Sequence, residues 1–442
     1  MALGAASVRR LELDAGALRG HGSVGDVARL QATELALVNR GGTAVGAGSG
    51  SGALLVDAQR LELGIGDKAI TGFADTTLAA AEAVLLADKG RLDVAGNLAV
   101  VAPQIVGRSL ADQVVDVAGS ADFAPGSGSV AAVPGGLAAR LDVRADALRV
   151  ATALRLPSGR VDLLARSGDL TLASGGVIDV AGRQVAFTDA TLASPGGQVN
   201  LTASAADIRL EAGSVVDFSA PAGGEAGRLA LSAPNGAAWL QGGLVGAGGA
   251  LQVDARQLRV RDGVTGHDLT GLASLLGASG VNGAVDLRLR DGDATLAAGT
   301  TLRAQRIGLA TDNGAMTIAG TLDASGAQPG RVRLHAAGAP TVDRSGRDLA
   351  AASGGDGGDG RIELGSATAL DIVTGSQLDA GGSGELRLRA PRTADNAEVM
   401  ATLAPASIVR AGEITLEAFS TYAATSLTSA YVASLKTETD AF

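Results

Sequence analysis

Four aspartates recur behind an aliphatic residue in one short phrase of the chain, and these are the residues with the best claim to chemistry. Asp179, Asp217 and Asp379 each close the pattern aliphatic-x-aliphatic-x-x-Gly-x-x-aliphatic-Asp, at Leu170/Leu172/Gly175/Ile178, Ile208/Leu210/Gly213/Val216 and Leu370/Ile372/Gly375/Leu378; Asp323 closes a shortened copy, Met316/Ile318/Gly320/Leu322. Carboxylates repeated along one face could hold Ca²⁺ or act as acid and base in glycoside cleavage. The competing role is local, an Asp at a strand end accepting hydrogen bonds from its own turn. The first two copies begin 38 residues apart, at Leu170 and Ile208. Read as two coils of about 20 residues, that spacing puts the copies roughly 10 Å apart at ~4.8 Å per coil. This is too far to share an ion, so turn structure is expected.

The remaining candidates are thinner. Gly354-Gly-Asp-Gly-Gly-Asp-Gly360 nearly matches a calcium-binding nonapeptide, with Asp356 and Asp359 as ligands, but Arg361 stands where a large apolar residue belongs and no tandem copy completes the site. The same glycines, 355, 357 and 360, precede a strand and no helix, which removes the dinucleotide reading. The Gly-Ser run at 46–52 lacks the Gly-Lys-Ser/Thr ending of a phosphate loop. His21, His267 and His335 lie far apart with no second ligand at helical or hairpin spacing, and surface histidines are expected. Without cysteine there is no thiolate chemistry, disulfide or Cys-ligated metal. Trp239, Tyr422 and Tyr431 are too scattered to form a sugar-stacking platform. No catalytic residue, cofactor or metal is expected, with Asp356 and Asp359 kept as weak calcium candidates.

The elements that carry these residues are strand-sized alternations such as Leu170/Leu172, Val199/Leu201, Leu229/Leu231, Val332/Leu334 and Leu386/Leu388, separated by glycine-containing loops of varying length. Constant strands with variable loops are the mark of coils stacked in register. The expected fold class is all-β: a right-handed parallel β-helix, or β-solenoid. An antiparallel sandwich shares the short strands, but at 442 residues it would need several domains and linkers, and none is visible. One elongated unit is expected over 1–390, with a loop break at 124–136 and a short helix flanking it at 268–276, where Leu269, Leu272, Leu275 and Leu276 have helical spacing behind an Asp268 cap. The Ala-rich stretch 76–88 is helical by propensity, yet the neighbouring rhythm favours strands. Residues 391–412 lose that rhythm, so 391–442 reads as an irregular segment with one terminal strand at 413–419.

Composition narrows the partners. Apolar residues make up 46% and aromatics 2%, so the core must be aliphatic. Sixty-five glycines against 11 prolines imply frequent turns. A net charge of −10, with no Lys/Arg block, argues against nucleic acid and anionic membranes. No apolar run suits a membrane span or a leader peptide.

Several phrases resemble a known family: Gly176-Val-Ile-Asp-Val-Ala-Gly182, Ser194-Pro-Gly-Gly-Gln-Val-Asn-Leu-Thr-Ala203, Gly320-Thr-Leu-Asp-Ala-Ser-Gly326 and Gly330-Arg-Val-Arg-Leu-His-Ala336. They are similar to the repeats of filamentous haemagglutinin-type large exoproteins, the secreted partners of two-partner secretion systems in Gram-negative bacteria. The likeness covers most of 11–390 as a style of repeat. It implies an adhesin shaft, exported through an outer-membrane two-partner secretion transporter, lying at the cell surface as a monomer and meeting a host-cell protein or glycan. The family's signal peptide and N-terminal secretion domain are not in this sequence, so an internal piece of a longer polypeptide is expected. At about 20 coils and ~4.8 Å each, the rod would be on the order of 100 Å long. A polysaccharide-active β-helix enzyme and a stalk for a C-terminal toxin are the alternatives.

Overall fold

The computed structural model describes all residues except 1, 4–7, 44–45, 128–134, 327, 338–339, 343–348, 351–359, 375, 406–407 and 421–442. The chain winds as a parallel β-solenoid with three faces, a fold with all its long-range strand pairings between successive turns. The first face carries the longest rungs. Fourteen successive parallel pairings link fifteen of them, from Ala17–Arg19 to Glu413–Phe419. At ~4.8 Å per rung this face is roughly 70 Å long, shorter than the sequence suggested because insertions make many coils longer than 20 residues.

One coil shows why the sequence folds this way. Arg160–Ala165 alternates, with Val161, Leu163 and Ala165 buried and Arg160 and Asp162 outside. In register, Val161 stacks between Leu141 and Val199, and Leu163 between Val143 and Leu201. Burying each such side chain contributes about 1.5–3 kcal/mol, whereas exposed outer pairs such as Arg140–Asp162 at 3.3 Å contribute little. The chain then makes the three-residue rung Leu170–Leu172 on the second face, turns at Gly175 with φ 82°, and makes Val177–Asp179 on the third. Gly213 repeats that left-handed turn one coil later, with φ 86°. A residue with a Cβ pays a penalty in this conformation that glycine avoids.

The 38-residue spacing is therefore one coil and not two. Leu170 pairs directly with Ile208, and Ile178 with Val216. The extra length is an antiparallel hairpin, Gln184–Ala186 with Thr191–Ala193, inserted after the third-face rung. Val199–Leu201, which sits between the two copies in sequence, belongs to the first face.

Towards the N-terminus the second and third faces merge. Val27–Val38, Gly52–Leu63 and Phe73–Leu86 run through both as long strands, the last of them confirming strand over helix for the Ala-rich stretch. At 125–139 the ladders close up across the insertion, Asp112 pairing with Arg140 and Ala121 with Leu148, so the loop interrupts the chain but not the stack.

The helix at 268–276 forms, as Leu269–Ser279, but not on the flank. Asp268 caps it by accepting the Gly271 N–H at 2.8 Å, and Gly280 ends it with φ 72°. It packs between the third-face rungs Gly243–Val245 and Thr301–Arg303 and buries Leu269, Leu272, Ala273 and Leu276 in the common core. It thus stands in the wall where a strand would be. Beyond it the second and third faces continue as separate ladders of six and five strands. Past residue 390 the winding continues as well, through Ala401–Leu403, Ile408–Arg410 and Glu413–Phe419. The rhythm is masked there by a small loop closed by an Arg392–Val399 bridge.

Candidate functional site

The recurrent aspartates occupy one column at the ends of the third-face rungs. Asp179 is the register partner of Asp217, so they sit on adjacent rungs and not two coils apart. Arg155 precedes Asp179 in this column, Arg303 precedes Asp323, and Arg410 follows Asp379. Each carboxylate turns back on its own loop. Asp179 accepts the Ala181 N–H at 3.1 Å, Asp217 the Ser219 N–H at 3.0 Å, Asp323 the Ser325 N–H at 3.0 Å and Asp379 the Gly381 N–H at 3.0 Å. These are Asx turns that end a rung. Asp323 also accepts two hydrogen bonds from Arg303 on the single oxygen Oδ2, at 2.8 and 2.5 Å. Burial pushes its carboxyl up, but the Ser325 hydroxyl and Arg303 outweigh that and hold it below the usual carboxylate range.

The histidines divide. His21 is exposed and meets the Ser49 hydroxyl at 3.2 Å. His267, expected at the surface, is 2% exposed. Its Nδ1 accepts the Leu258 N–H at 3.1 Å, at the point where a parallel neighbour strand gives way to the helix turn. Next to it Asp268 is gripped by Arg261, at 2.9 and 2.6 Å. His335 lies on the outside of the first face. Among the described residues no group of three or more His, Asp or Glu could hold a metal ion. Asp356 and Asp359 lie outside the described residues, as do Tyr422 and Tyr431. Trp239 is on the outer surface under Arg209, 5.4 Å from its ring centre, and donates to Asp207 at 3.3 Å.

Two buried polar side chains went unnoticed in the sequence. Lys68 donates to the carbonyls of Gly64 and Gly66 at 2.7 and 2.6 Å, and Gln113 donates to those of Gly64 and Ala87 at 3.2 and 2.6 Å. Together they supply donors to the carbonyls of a buried corner. Burial lowers the Lys68 pKa to about 8.

The most chemically distinctive feature of the surface is a cleft of about 390 Å³ on the outer first face, near the C-terminal end of the stack. Stacking creates it: in register Arg331 pairs with Arg361, Arg333 with Glu363 and that in turn with Arg387, and His335 with Gly365 and that in turn with Arg389. Gly365 has no side chain, and the His335 imidazole lies over it, its Nδ1 3.0 Å from where a Cβ would stand. Five guanidinium groups and His335 face Glu363, Glu385 and Glu417. Arg361 meets Glu363 at 2.5 Å and Glu385 at 3.2 Å, Arg387 pairs with Glu417, and Arg389 lies 5.1 Å from the Phe419 ring centre. Burial, then Arg333 and Arg389, lower the His335 pKa. This is the local exception to the acidic composition, and the sequence shows no basic block because its members alternate with apolar residues within a rung and the rungs lie a whole coil apart.

Comparison with protein-family models, with curated proteins and with solved structures finds no significant match. Among the described residues no helix is long and apolar enough to cross a membrane. What the geometry itself supports is a repetitive structural module of the β-solenoid class.

Proposed function

We propose that this chain is a shaft segment of a secreted bacterial surface adhesin, a non-catalytic spacer whose outer face and loops make contact with a host-cell protein or glycan. The observation that carries this reading is the unbroken run of fourteen parallel pairings along the first face, through which one aliphatic core extends from end to end. Such a stack resists bending because each turn is bonded along its length to the next. Length and stiffness are what a shaft supplies. Rungs that pair only with their neighbours also suit export of an unfolded chain, since each arriving coil can add to the last. Passage through a two-partner secretion transporter and residence outside the cell as a monomer belong to the same proposal.

The Asx-turn role of Asp179, Asp217, Asp323 and Asp379 favours a structural over a catalytic use of the column. Purified chain should bind host cells, and it should leave acidic polysaccharides intact in a depolymerase assay. Cleavage that disappears on Asp179→Ala or Asp217→Ala would overturn the proposal in favour of a polysaccharide-active enzyme.

A further inference from the structure

We propose that Asn313-Gly314 is a site of spontaneous covalent modification, at which the asparagine side-chain amide is lost through a succinimide and aspartate or isoaspartate is left at a corner of the stack. This does not depend on the adhesin reading.

The chain has three Asn-Gly pairs: Asn235-Gly236, Asn282-Gly283 and Asn313-Gly314. A glycine behind asparagine carries no Cβ to block its peptide nitrogen. That nitrogen loses its proton and attacks the asparagine Cγ, forming a new C–N bond in a five-membered imide. The bond from Cγ to Nδ2 breaks, and Nδ2 leaves as ammonia with a proton returned from solvent. Water then adds to either ring carbonyl, giving aspartate or, with the main chain rerouted through Cγ, isoaspartate. No oxidant, metal or second protein is consumed. Two conditions must hold: the glycine N–H must be free of a hydrogen bond, and the asparagine side chain must be free to turn onto it.

The fold separates the three pairs. Asn235 and Gly236 lie inside the strand Arg228–Leu240, where Gly236 is buried and the Asn235 Nδ2 donates to the Ser204 carbonyl at 2.8 Å. The Gly283 N–H donates to the Gly249 carbonyl at 2.9 Å, and the Asn282 Oδ1 accepts the Gly248 N–H at 3.1 Å. The third pair sits in the bend between the first-face rung Arg306–Thr311 and the second-face rung Met316–Ile318. Asn313 is exposed there, and among the described residues the Gly314 N–H has no partner. The Asn313 Nδ2 donates to Asp291 at 3.2 Å, an exposed bond to a carboxylate that Arg256 already holds, so the side chain is weakly pinned. One coil below, Asp291-Gly292 could close the same ring, but the Gly292 N–H donates to the Asn313 carbonyl at 2.7 Å. Modification sets a new carboxylate against Asp291, and directly opposed like charges destabilise a sheet. Isoaspartate also adds a main-chain methylene just before Met316 and Ile318, both fully buried, which works against their place in the core.

The test ages the full folded chain at neutral and at mildly alkaline pH, maps the products by peptide mass spectrometry and counts isoaspartate by enzymatic methylation. The Asn313 peptide should gain one mass unit, faster at the higher pH because the attacking nitrogen must lose its proton. Gly283 must first give up a hydrogen bond, so Asn313 should react about fivefold or more faster than Asn282, and faster than Asn235. In denaturant the three rates should converge. Asn313→Gln, which would need a six-membered ring, should remove the gain at this site and keep the amides of 314–318 protected from hydrogen exchange on ageing, while Asn282→Gln should leave the Asn313 rate unchanged. Reaction at Asn282 or Asn235 as fast as at Asn313 in the folded chain overturns the inference, as does a rate at Asn313 that ignores pH. A lead for Asn313 that survives unchanged in denaturant would place its cause outside the fold and overturn it too.

Discussion

Acid should loosen the chain at His267 before it affects the rest of the solenoid. The buried imidazole accepts the Leu258 N–H, and burial first, then Arg259, lower its pKa from 6.5 to about 4, against the opposing pull of the Gly292 backbone and then of Asp291 and Asp293. A protonated ring cannot accept that bond, and its charge would sit beside a guanidinium. Because the folded pKa lies below the unfolded one, the unfolded chain binds more protons between these values. The stability from the neutral ring is therefore complete above pH 6.5, falls as pH drops towards 4, and changes no further below that. The full interval corresponds to about 3 kcal/mol, and at pH 5 about 2 kcal/mol of it is already lost. Asp268 and Asp323, whose pKa values are lowered from 3.8, lose their contribution only at lower pH, outside this window. Solenoids open in pieces, so the assay is hydrogen exchange resolved along the chain, corrected for intrinsic pH dependence. Amides at 257–280 should lose about 30-fold in protection between pH 7 and pH 5, while those at 198–203 keep theirs. His267→Asn, which retains an acceptor but does not titrate, should flatten the response. An unchanged pH profile in that variant, or protection at Leu258 that does not fall, would refute the assignment.

Other consequences follow from single side chains. Lys68→Met removes the lysine donor from the carbonyls of Gly64, which keeps Gln113, and of Gly66, and should cost about 1–3 kcal/mol, read as earlier denaturant unfolding of the N-terminal coils. Leu201→Ala, at a fully buried rung position, should cost about 2–5 kcal/mol and open a local site for limited proteolysis. Gly66 and Gly175 both have positive φ, but a Cβ on Gly66 would lie 1.8 Å from the Asn39 carbonyl oxygen whereas one on Gly175 meets nothing within 4 Å. Gly175→Ala should therefore cost only the backbone strain of about 1–2 kcal/mol, and Gly66→Ala markedly more, compared by thermal unfolding. Asp217→Asn keeps a turn acceptor and removes a like charge from beside Asp179, so stability should change by less than about 1 kcal/mol; a large loss that added Ca²⁺ prevents in the parent would mean that the pair holds a cation.

Local patterns were readable in the sequence, and neighbour relations were not. The alternation of Leu170/Leu172 and Val199/Leu201 reports a strand with one buried side, because side-chain direction is set within the strand. The pairing of Leu170 with Ile208 depends on how the 184–193 hairpin is accommodated, and a hairpin that leaves the stack looks in sequence like another coil. The helix over 269–279 was legible from Asp268 and its leucine spacing, since caps and periodicity are local. Its place in the wall was not, because an apolar helical face does not say which rungs it will replace. His267 was misplaced for a similar reason: its burial comes from that helix rung. The arginine cleft is the clearest case, its rungs separated by 24 to 30 residues in sequence and joined only by register: Arg331 to Arg361, and Glu363 to Arg387.

The parallel, in-register winding can be tested by disulfide trapping, since the chain has no cysteine of its own. Thr171 and Arg209 are register partners on adjacent rungs of the second face, while Asn200 lies on the first face. Their separation suits a disulfide, which needs Cα atoms roughly 4.4–6.8 Å apart. Under mild oxidation of the folded chain, the pair Thr171→Cys/Arg209→Cys should close to an intramolecular crosslink and Thr171→Cys/Asn200→Cys should remain reduced. The reverse outcome, or closure of neither pair in folded protein, would contradict a solenoid in which these 38 residues make one turn.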